Sequence, residues 1–329
     1  MGGSVSIGQT GRPTVFPKED FDPASSAEKV KNAIDGFGTD ESALIKVFAS
    51  HSNLQRQEIA SVFKQSYGKD LQEELKDECG GDFEDVLIAL TTPSRLYEAR
   101  LLRNAMKGAG TDEKVLIEVL ATKANIEMKE LKAIYEEEYK EDDRKLEVDV
   151  ENETSGDFKC LLLSLLNADR EEIPADEDVA TEDATRLHEA GEARFGTDES
   201  EFNRILCLRS YDHLQLVLSK YEEMFGESLE DVVNNETSGS IQDGYLTILK
   251  FVRDSKAYYA ELLYKSMKGI GTDDDQLIRT IVTRSEIDLA DIQDKFGELY
   301  EQSLQDFVKD DLGGNYEKII LCLLNPSTA

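Results

Sequence analysis

Hydrophobic positions follow the period of an α-helix from Ala27 almost to the end of the chain. Side chains three and four residues apart fall on one helical face, so each short apolar stripe predicts one amphipathic helix. Five such stripes fill the first part of the pattern, and they begin at Ala27, Leu44, Ile59, Leu71 and Phe83. No stretch alternates convincingly with the period of two that marks a strand, and the chain is therefore predicted to be all-α.

The same succession of stripes returns three more times. Internal repetition favours an array of four repeats, each with five helices, over two or three unrelated domains. The predicted ranges are a tail at 1–23, repeat one at 24–93, repeat two at 94–167, an acidic linker at 168–182, repeat three at 183–253 and repeat four at 254–329. The linker contains Pro174 and is expected to be an exposed connector that divides the array into two pairs.

A short glycine turn recurs once in each repeat. The four copies, each followed by Thr and Asp, are Gly36-Phe37-Gly38, Gly108-Ala109-Gly110, Arg194-Phe195-Gly196 and Gly269-Ile270-Gly271. A helix end followed by the capped start of the next helix is a sufficient explanation for one copy. Glycine on both sides of one residue also leaves carbonyl oxygens without partners, which helix capping does not require.

An acidic residue follows each turn at nearly constant range. Counted from the first residue of the turn, Glu78, Glu236 and Asp311 lie 42 residues further on, and Glu153 lies 45 further on. The excess in repeat two matches an insert at 140–145. A helix end explains the small residues that follow each acid, but it does not require an acid in all four places.

The net charge restricts the partners of these groups. The chain has 37 basic and 69 acidic residues, a formal net charge of −32. Nucleic acid is expected to be repelled, and an anionic surface must be reached through a bridging cation. Carbonyl oxygens of one loop together with one bidentate carboxylate are ligands of the kind that Ca²⁺ prefers. The ion binds about six to eight oxygen atoms. Water or a phosphate oxygen must complete such a shell, and with one carboxylate its affinity without lipid should be weak, roughly 10⁻⁴–10⁻³ M.

The four glycine turns, which read Lys-Gly-x-Gly-Thr in repeats two and four, together with their distant acids and the stretch at 281–289, resemble the annexins over residues 21–325. The resemblance implies repeats that are right-handed superhelices of five helices, arranged as a curved disc whose convex face carries Ca²⁺. It implies Ca²⁺-dependent, reversible binding to anionic phospholipids. The metal ligands that it implies are the carbonyls of Ile34, Gly36 and Gly38 with Glu78; of Met106, Gly108 and Gly110 with Glu153; of Gly191, Arg194 and Gly196 with Glu236; and of Met267, Gly269 and Gly271 with Asp311.

The resemblance also assigns residues to the membrane, where Phe195 stands in the place of a membrane-inserting Trp in several relatives. The residues expected to contact lipid are Phe37, Lys107, Ala109, Phe195, Lys268 and Ile270. Alternatively, the two phenylalanines fold back on their own repeats and the two lysines are simply solvated. The acids that could serve weaker accessory Ca²⁺ sites, or only favour helix starts, are Glu41, Glu113, Glu199 and Asp274. Two polar pairs are implied at the centre of the protein, Glu118 with Arg284 and Glu98 with Lys123.

The cysteines and the N-terminus predict a cytoplasmic protein. The four cysteines show no CxxC pairing and are expected to be reduced and buried: Cys79, Cys160, Cys207 and Cys322. The pattern of a signal peptide is absent, whereas residues 1–6 fit N-myristoylation at Gly2. The protein is therefore expected on the cytosolic face of membranes when calcium is raised. A protein partner for the tail and an oligomer on the membrane are left open.

Other functions fit the sequence less well. The only histidines are His51, His188 and His213, none in an HExxH or triad-like setting, and no GxSxG or Walker loop is present. An enzyme is therefore not expected. The main alternative is an α-helical repeat scaffold for protein partners, because α-solenoids share this architecture. Such a scaffold would not need four acids at fixed range from glycine turns.

Overall fold

The computed structural model describes residues 11–36, 38–191 and 197–325. Within these ranges the regular elements are twenty α-helices and one 3₁₀ helix, with no strand, which confirms the all-α prediction. The helices of repeats one and two are α1 (Pro23–Ile34), α2 (Glu41–Ala49), α3 (Asn53–Tyr67), α4 (Leu71–Glu78), α5 (Gly81–Thr91), α6 (Ser94–Ala105), α7 (Glu113–Ala121), α8 (Asn125–Glu138), η1 (Lys140–Asp142), α9 (Leu146–Glu153) and α10 (Gly156–Leu166). Those of repeats three and four are α11 (Glu177–Ala190), α12 (Glu199–Leu208), α13 (Tyr211–Phe225), α14 (Leu229–Glu236), α15 (Ser240–Arg253), α16 (Ser255–Met267), α17 (Asp274–Arg284), α18 (Leu289–Tyr300), α19 (Leu304–Asp311) and α20 (Gly314–Leu324).

Capping side chains fix the helix that follows the glycine turn in repeats one, two and four. Asp40, Asp112 and Asp273 accept hydrogen bonds from N–H groups in the first turns of α2, α7 and α17. This arrangement satisfies N–H groups that have no partner inside the helix. In repeats one, two and four the cap is therefore the Asp of the Thr-Asp pair, and the preceding Thr is available for another contact. Asp198 of repeat three is also an N-cap residue but makes no side-chain capping bond.

The chain divides into two compact units. Among the described residues, unit one contains Arg95–Ser255, and unit two contains residues 11–94 and 256–325. In unit one the second and fifth helices of repeats two and three pack together, and in unit two those of repeats one and four do so. The linker joins two repeats of the same unit. The prediction that it divides the array into pairs is therefore wrong.

The segment at 168–182 is only partly an exposed connector. Residues 172–178 are exposed, but the Arg170 guanidinium donates to the Leu206 carbonyl at 2.9 Å and lies 4.3 Å from the centroid of the Tyr211 ring. Helix α11 already begins at Glu177, because the Asp176 carboxylate accepts hydrogen bonds from two N–H groups of its first turn. The acidic composition suggested a loop where a capped helix begins.

The cysteines are all free, but their predicted burial is only partly correct. Cys207 and Cys322 are buried, Cys79 is half-buried, and Cys160 is exposed. Cys160 belongs to α10, whose buried residues include Phe158, Leu161 and Leu162. The Cys160 side chain therefore lies off the apolar stripe that contains its neighbours.

The remaining predictions concern the two polar pairs and the three histidines. Lys123 Nζ lies 2.6 Å from Glu98 Oε1, as expected, where Glu98 is buried and Lys123 is half-buried. Glu118 and Arg284 belong to different units, and their pairing stays a prediction. The histidines have local contacts: His51 Nδ1 with the Val47 carbonyl, His213 Nε2 with Asp183, and the His188 ring stacked on Phe225.

In the described part of the chain no helix is both long enough and apolar enough to cross a bilayer.

Candidate calcium and membrane site

Each candidate acid is the last residue of the fourth helix of its repeat. Helices α4, α9, α14 and α19 are all eight residues long, and each begins with a buried leucine. Eight residues make only about two turns, so the buried leucine fixes where the other end of the helix lies. The acids at these ends are exposed in repeats one to three and half-buried in repeat four: Glu78, Glu153, Glu236 and Asp311.

The glycine turns use backbone conformations that other residues avoid. Gly108 and Gly110 have φ angles of 102° and 95°, and Gly269 and Gly271 have φ angles of 125° and 83°. These angles strain any residue with a Cβ atom. Among the described residues, no backbone N–H donates to the carbonyl oxygens of these four glycines. The loops of repeats two and four therefore present free carbonyl oxygens at the surface.

A backbone hydrogen bond closes the loop of each repeat. The bonded residues are seven apart in repeats one, two and four and eight apart in repeat three: Asp40 N–H to Ala33, Asp112 to Ala105, Asp273 to Ser266 and Asp198 to Ala190. The loop of repeat three thus contains one additional residue. The repeat that lacks the first turn glycine is therefore also the one with the longer loop.

A threonine hydroxyl joins each loop to its acid. Thr39, Thr111 and Thr197 donate to the backbone carbonyl of the acid of their repeat at 3.0–3.1 Å. Thr272 donates instead to Asp311 Oδ2 at 2.7 Å. In repeat two this bond forms across 42 residues rather than 39, and the insert therefore does not displace Glu153. The spacing of the sequence thus reflects a physical contact in all four repeats.

The residues predicted to contact lipid differ in exposure. Ile270 is fully exposed at the tip of its loop, and Lys107 and Ala109 are also exposed. Lys268 is exposed as well, and its Nζ lies 4.7 Å from the centroid of the Tyr264 ring. An isoleucine without packing partners is a contact expected at a lipid surface rather than in a core. Phe37, Arg194, Phe195 and Gly196 lie outside the described residues.

The predicted ligand residues that open each turn have side chains in the core. Ile34, Met106 and Met267 are at most 4 % exposed. Gly191, the corresponding residue of repeat three, packs so closely that an added Cβ would lie 3.1 Å from Val232 Cγ1. These residues can therefore offer a ligand only from the backbone.

The acids considered for accessory sites are the first residues of their helices. Glu41, Glu113, Glu199 and Asp274 begin α2, α7, α12 and α17. Burial raises the pKa of Asp274, and so do the nearby carboxylates of Asp82, Asp311 and Asp273. A group of like charges at the loop of repeat four favours the approach of a cation. A favourable interaction with the helix dipole is sufficient to explain the other three acids.

Side chains alone do not form a metal site in the described part of the chain. No group of three or more His, Cys, Asp or Glu residues there is arranged to hold a metal ion. One carboxylate beside several carbonyls nevertheless suits Ca²⁺, which accepts backbone oxygens and water. The donor set therefore fits Ca²⁺ and does not fit a metal that prefers nitrogen or sulfur ligands.

Fold and site together define a four-repeat helical protein with one loop–acid pair in each repeat. The annexin family model matches residues 25–90, 97–165, 182–248 and 258–323. Annexin A13 of Homo sapiens is 45 % identical over 306 residues, which cover 93 % of this chain and 96 % of that protein. The solved structure of annexin III has a TM-score of 0.93 and 42 % identity, covering 97 % of this chain and 99 % of that one. A calcium-bound annexin (Sm)1 has a TM-score of 0.85 and 34 % identity, covering 97 % and 96 %.

The chain belongs to the annexin family. Family membership supports calcium-dependent phospholipid binding in general. Annexins are generally membrane-binding proteins without enzymatic activity. The sequence signal for the threonine contact was the Thr that follows the last glycine of the turn in all four copies, although its partner could not be read from the pattern.

Proposed function

We propose that the protein binds anionic phospholipid membranes reversibly when Ca²⁺ is present, and acts in membrane organisation, trafficking or bridging. The threonine bond that joins each glycine loop to a helix-end acid is the observation that supports this most directly. It brings neutral and charged oxygen donors together four times. A scaffold for protein partners needs no such arrangement.

The ligands proposed for each site are three loop carbonyls and the acid of the same repeat. They are the four sets that begin at Ile34, Met106, Gly191 and Met267. Bound Ca²⁺ supplies positive charge and further coordination positions for oxygen ligands. The glycines keep side chains away from the carbonyls, and the threonine hydroxyl holds the helix end beside the loop. Loop-tip residues such as Ile270 then contact the lipid, while Lys107 and Lys268 face phosphate groups.

The two ligands are expected to strengthen each other. One carboxylate per site gives weak affinity for Ca²⁺ alone, roughly 10⁻⁴–10⁻³ M. If a lipid phosphate raises the affinity for Ca²⁺, then Ca²⁺ raises the affinity for lipid by the same factor. Several sites in one molecule add to this through effective concentration. Without Ca²⁺, the net charge of −32 opposes contact with an anionic leaflet.

The remaining sequence predictions complete the proposal. The four repeats have the ranges given above, with residues 1–23 as a tail that could bind a protein partner. The protein is cytoplasmic and reaches the cytosolic face of membranes when calcium rises, where it could form oligomers. The N-myristoylation pattern at Gly2 lies outside the described residues, and a mass spectrum of the native N-terminus tests it.

Sedimentation with vesicles tests the proposed function. The full-length protein is mixed with vesicles of phosphatidylserine and phosphatidylcholine, with Ca²⁺ or with a chelator. We expect the protein in the pellet with Ca²⁺, and its return to the supernatant when chelator is added. Equal binding in chelator, or no binding with Ca²⁺, would refute the proposal. Pure phosphatidylcholine vesicles are the control for the anionic headgroup.

The threonine contact gives a prediction for one site. Thr111→Val removes the hydroxyl that donates to the Glu153 carbonyl at 3.0 Å but keeps the shape of the side chain. One lost hydrogen bond is worth about 1 kcal/mol, so the Ca²⁺ midpoint at this loop should rise about fivefold. The chain has no Trp, and fluorescence of a Trp introduced as Ala109→Trp therefore reports on this loop alone. Thr111→Ser keeps the hydroxyl and should behave like the parent, whereas equal midpoints for Val and Thr would contradict the assigned role.

A further inference from the structure

Repeat two places its acid beside its loop although it has three more residues between them than the other repeats. The bond from Thr111 Oγ1 to the Glu153 carbonyl spans 42 residues, whereas the corresponding bond from Thr39 to Glu78 spans 39. Helix α9 is eight residues long, as α4 is. The additional residues must therefore be absorbed before α9 begins.

The additional residues form the single 3₁₀ turn η1. The N–H groups of Asp142 and Arg144 both donate to the Tyr139 carbonyl, at 3.1 and 3.4 Å, so the insert folds back on the end of α8. In every repeat a left-handed residue then precedes the N-cap of the fourth helix by two positions. These pairs are Gly68 and Asp70, Asp143 and Lys145, Gly226 and Ser228, and Glu301 and Ser303.

Helix α9 lacks the cap that the other three fourth helices have. The side chains of Asp70, Ser228 and Ser303 accept hydrogen bonds from N–H groups of the first helical turn. Lys145 occupies this position in repeat two and makes no capping bond. A lysine has no acceptor, and its positive charge is unfavourable at a helix N-terminus. Some other contact must therefore fix the start of α9.

A cluster of three side chains, in which a half-buried arginine meets two buried groups, supplies that contact. Arg144 in the insert donates to Asp149 Oδ1 at 3.0 Å, and the Tyr135 hydroxyl of α8 donates to Asp149 Oδ2 at 2.5 Å. Tyr135 is fully buried and Asp149 is 7 % exposed. Charge-assisted hydrogen bonds are roughly twice as strong as neutral ones. The cluster therefore connects α8, the insert and α9.

We propose that Arg144, Asp149 and Tyr135 are positioning residues that set the register of α9 and thereby hold Glu153 beside the loop of repeat two. This inference rests on the proposed function of that loop. Asp149 lies one helical turn before Glu153, so a bond that fixes one fixes the other. Loss of the cluster should weaken the site of repeat two much more than that of repeat four.

Two single-Trp reporters test this inference in the full-length protein. Ala109→Trp reports on the loop of repeat two and Ile270→Trp on that of repeat four, and each is combined with Arg144→Ala, Arg144→Lys or Lys140→Ala. Lys140 is a matched control, because it lies in the same insert and pairs only with the exposed Glu137. Trp fluorescence is followed during Ca²⁺ titration with phosphatidylserine vesicles. Thermal unfolding of each variant is measured in chelator.

With Arg144→Ala, the Ca²⁺ midpoint at Ala109→Trp should rise about fivefold or more, as the loss of a charge-assisted bond implies. The midpoint at Ile270→Trp should rise much less, because the site of repeat four keeps its own ligands and shares only the effect of linkage between sites. Arg144→Lys should restore part of the loss, and Lys140→Ala should have no effect. Equal midpoints for Arg144→Ala and Lys140→Ala would overturn the inference. A parallel shift of both reporters would also overturn it, because it would indicate a general loss of stability. If neither reporter responds to Ca²⁺ in otherwise unchanged protein, it is the proposed function that fails.

Discussion

Replacing all four helix-end acids at once is expected to abolish binding to phosphatidylserine vesicles at Ca²⁺ concentrations that suffice for the unchanged protein. The variant carries Glu78→Gln, Glu153→Gln, Glu236→Gln and Asp311→Asn. Each change removes the one charged ligand of its site and keeps the size of the side chain. Neutral oxygens alone bind Ca²⁺ more weakly, and losses at linked sites multiply. The Ca²⁺ midpoint in sedimentation should rise by more than about tenfold, or about 1.4 kcal/mol.

A charge-matched variant separates metal binding from the change in overall charge. It carries substitutions at four exposed acids, of which three lie one or two residues before a helix-end acid and the fourth lies in the first turn of α15: Asp77→Asn, Glu151→Gln, Asp310→Asn and Asp243→Asn. Both variants lose the same number of negative charges, and lower repulsion alone should favour binding to anionic vesicles. We expect the matched variant to keep the midpoint of the parent or to lower it. An equal rise for both variants would rule out a specific role for the helix-end acids.

Replacing Asp183 with alanine is expected to lower the folding stability strongly. This carboxylate is fully buried in unit one, where Arg209 Nε lies 2.6 Å from Oδ2 and His213 Nε2 lies 3.2 Å from the same oxygen. Arg204 lies 3.5 Å from Oδ1. Asp183→Ala leaves a part-buried guanidinium without this partner, which typically costs about 3–5 kcal/mol. The free energy of unfolding should fall by this amount in denaturant titrations.

A neighbouring acid is the control. Glu182 is 69 % exposed and lies 3.9 Å from Arg186, so Glu182→Ala should change the free energy of unfolding by less than about 0.5 kcal/mol. Equal effects of the two substitutions would show that the buried cluster contributes nothing specific. Asp183→Asn, which keeps the shape of the side chain, should lie between them at neutral pH.

The effect of Asp183 should also depend on pH. Burial raises the pKa of this carboxyl, but hydrogen bonds from Arg209 and His213 outweigh burial and hold its pKa below the ordinary value of 3.8. A lowered pKa in the folded state means that the stabilisation is complete above the unfolded pKa and is lost as pH falls through the folded value. The difference in stability between the parent and Asp183→Asn should therefore be constant near neutral pH and shrink below about pH 4. A difference that does not change with pH would contradict this assignment.

The sequence predicted the helices well because their apolar stripes are short and separated by clear turns. Leu44, Val47 and Phe48, which define one stripe, are all buried on α2. The grouping of repeats could not be predicted in the same way, since the second and fifth helices of every repeat have similar apolar faces. The close approach of Gly244 to Leu161 inside unit one, where an added Cβ would lie 2.4 Å from Cδ2, is visible only in the structure.

The part of the site that could be predicted is the part marked by the repeated spacing between each turn and its acid. Four acids at fixed range from four turns indicated the loop–acid pairs, and the structure brings each acid next to the threonine of its turn. The role of that threonine was missed, because a Thr before a capping Asp already has a local explanation. The cluster around Asp149 was missed for a different reason. In the sequence its residues belong to an ordinary helical pattern and to a charged insert, and the pattern does not show that their side chains are in contact.

Crystals grown with abundant Ca²⁺ provide the most direct test of the central claim, that loop carbonyls and a helix-end acid together bind calcium. Anomalous scattering identifies the ions independently of the phosphate and water oxygens around them. We predict calcium about 2.3–2.6 Å from the carbonyls of Gly108 and Gly110 and from Glu153, with the same arrangement at Gly269, Gly271 and Asp311. Calcium bound elsewhere while these loops are empty would contradict the account.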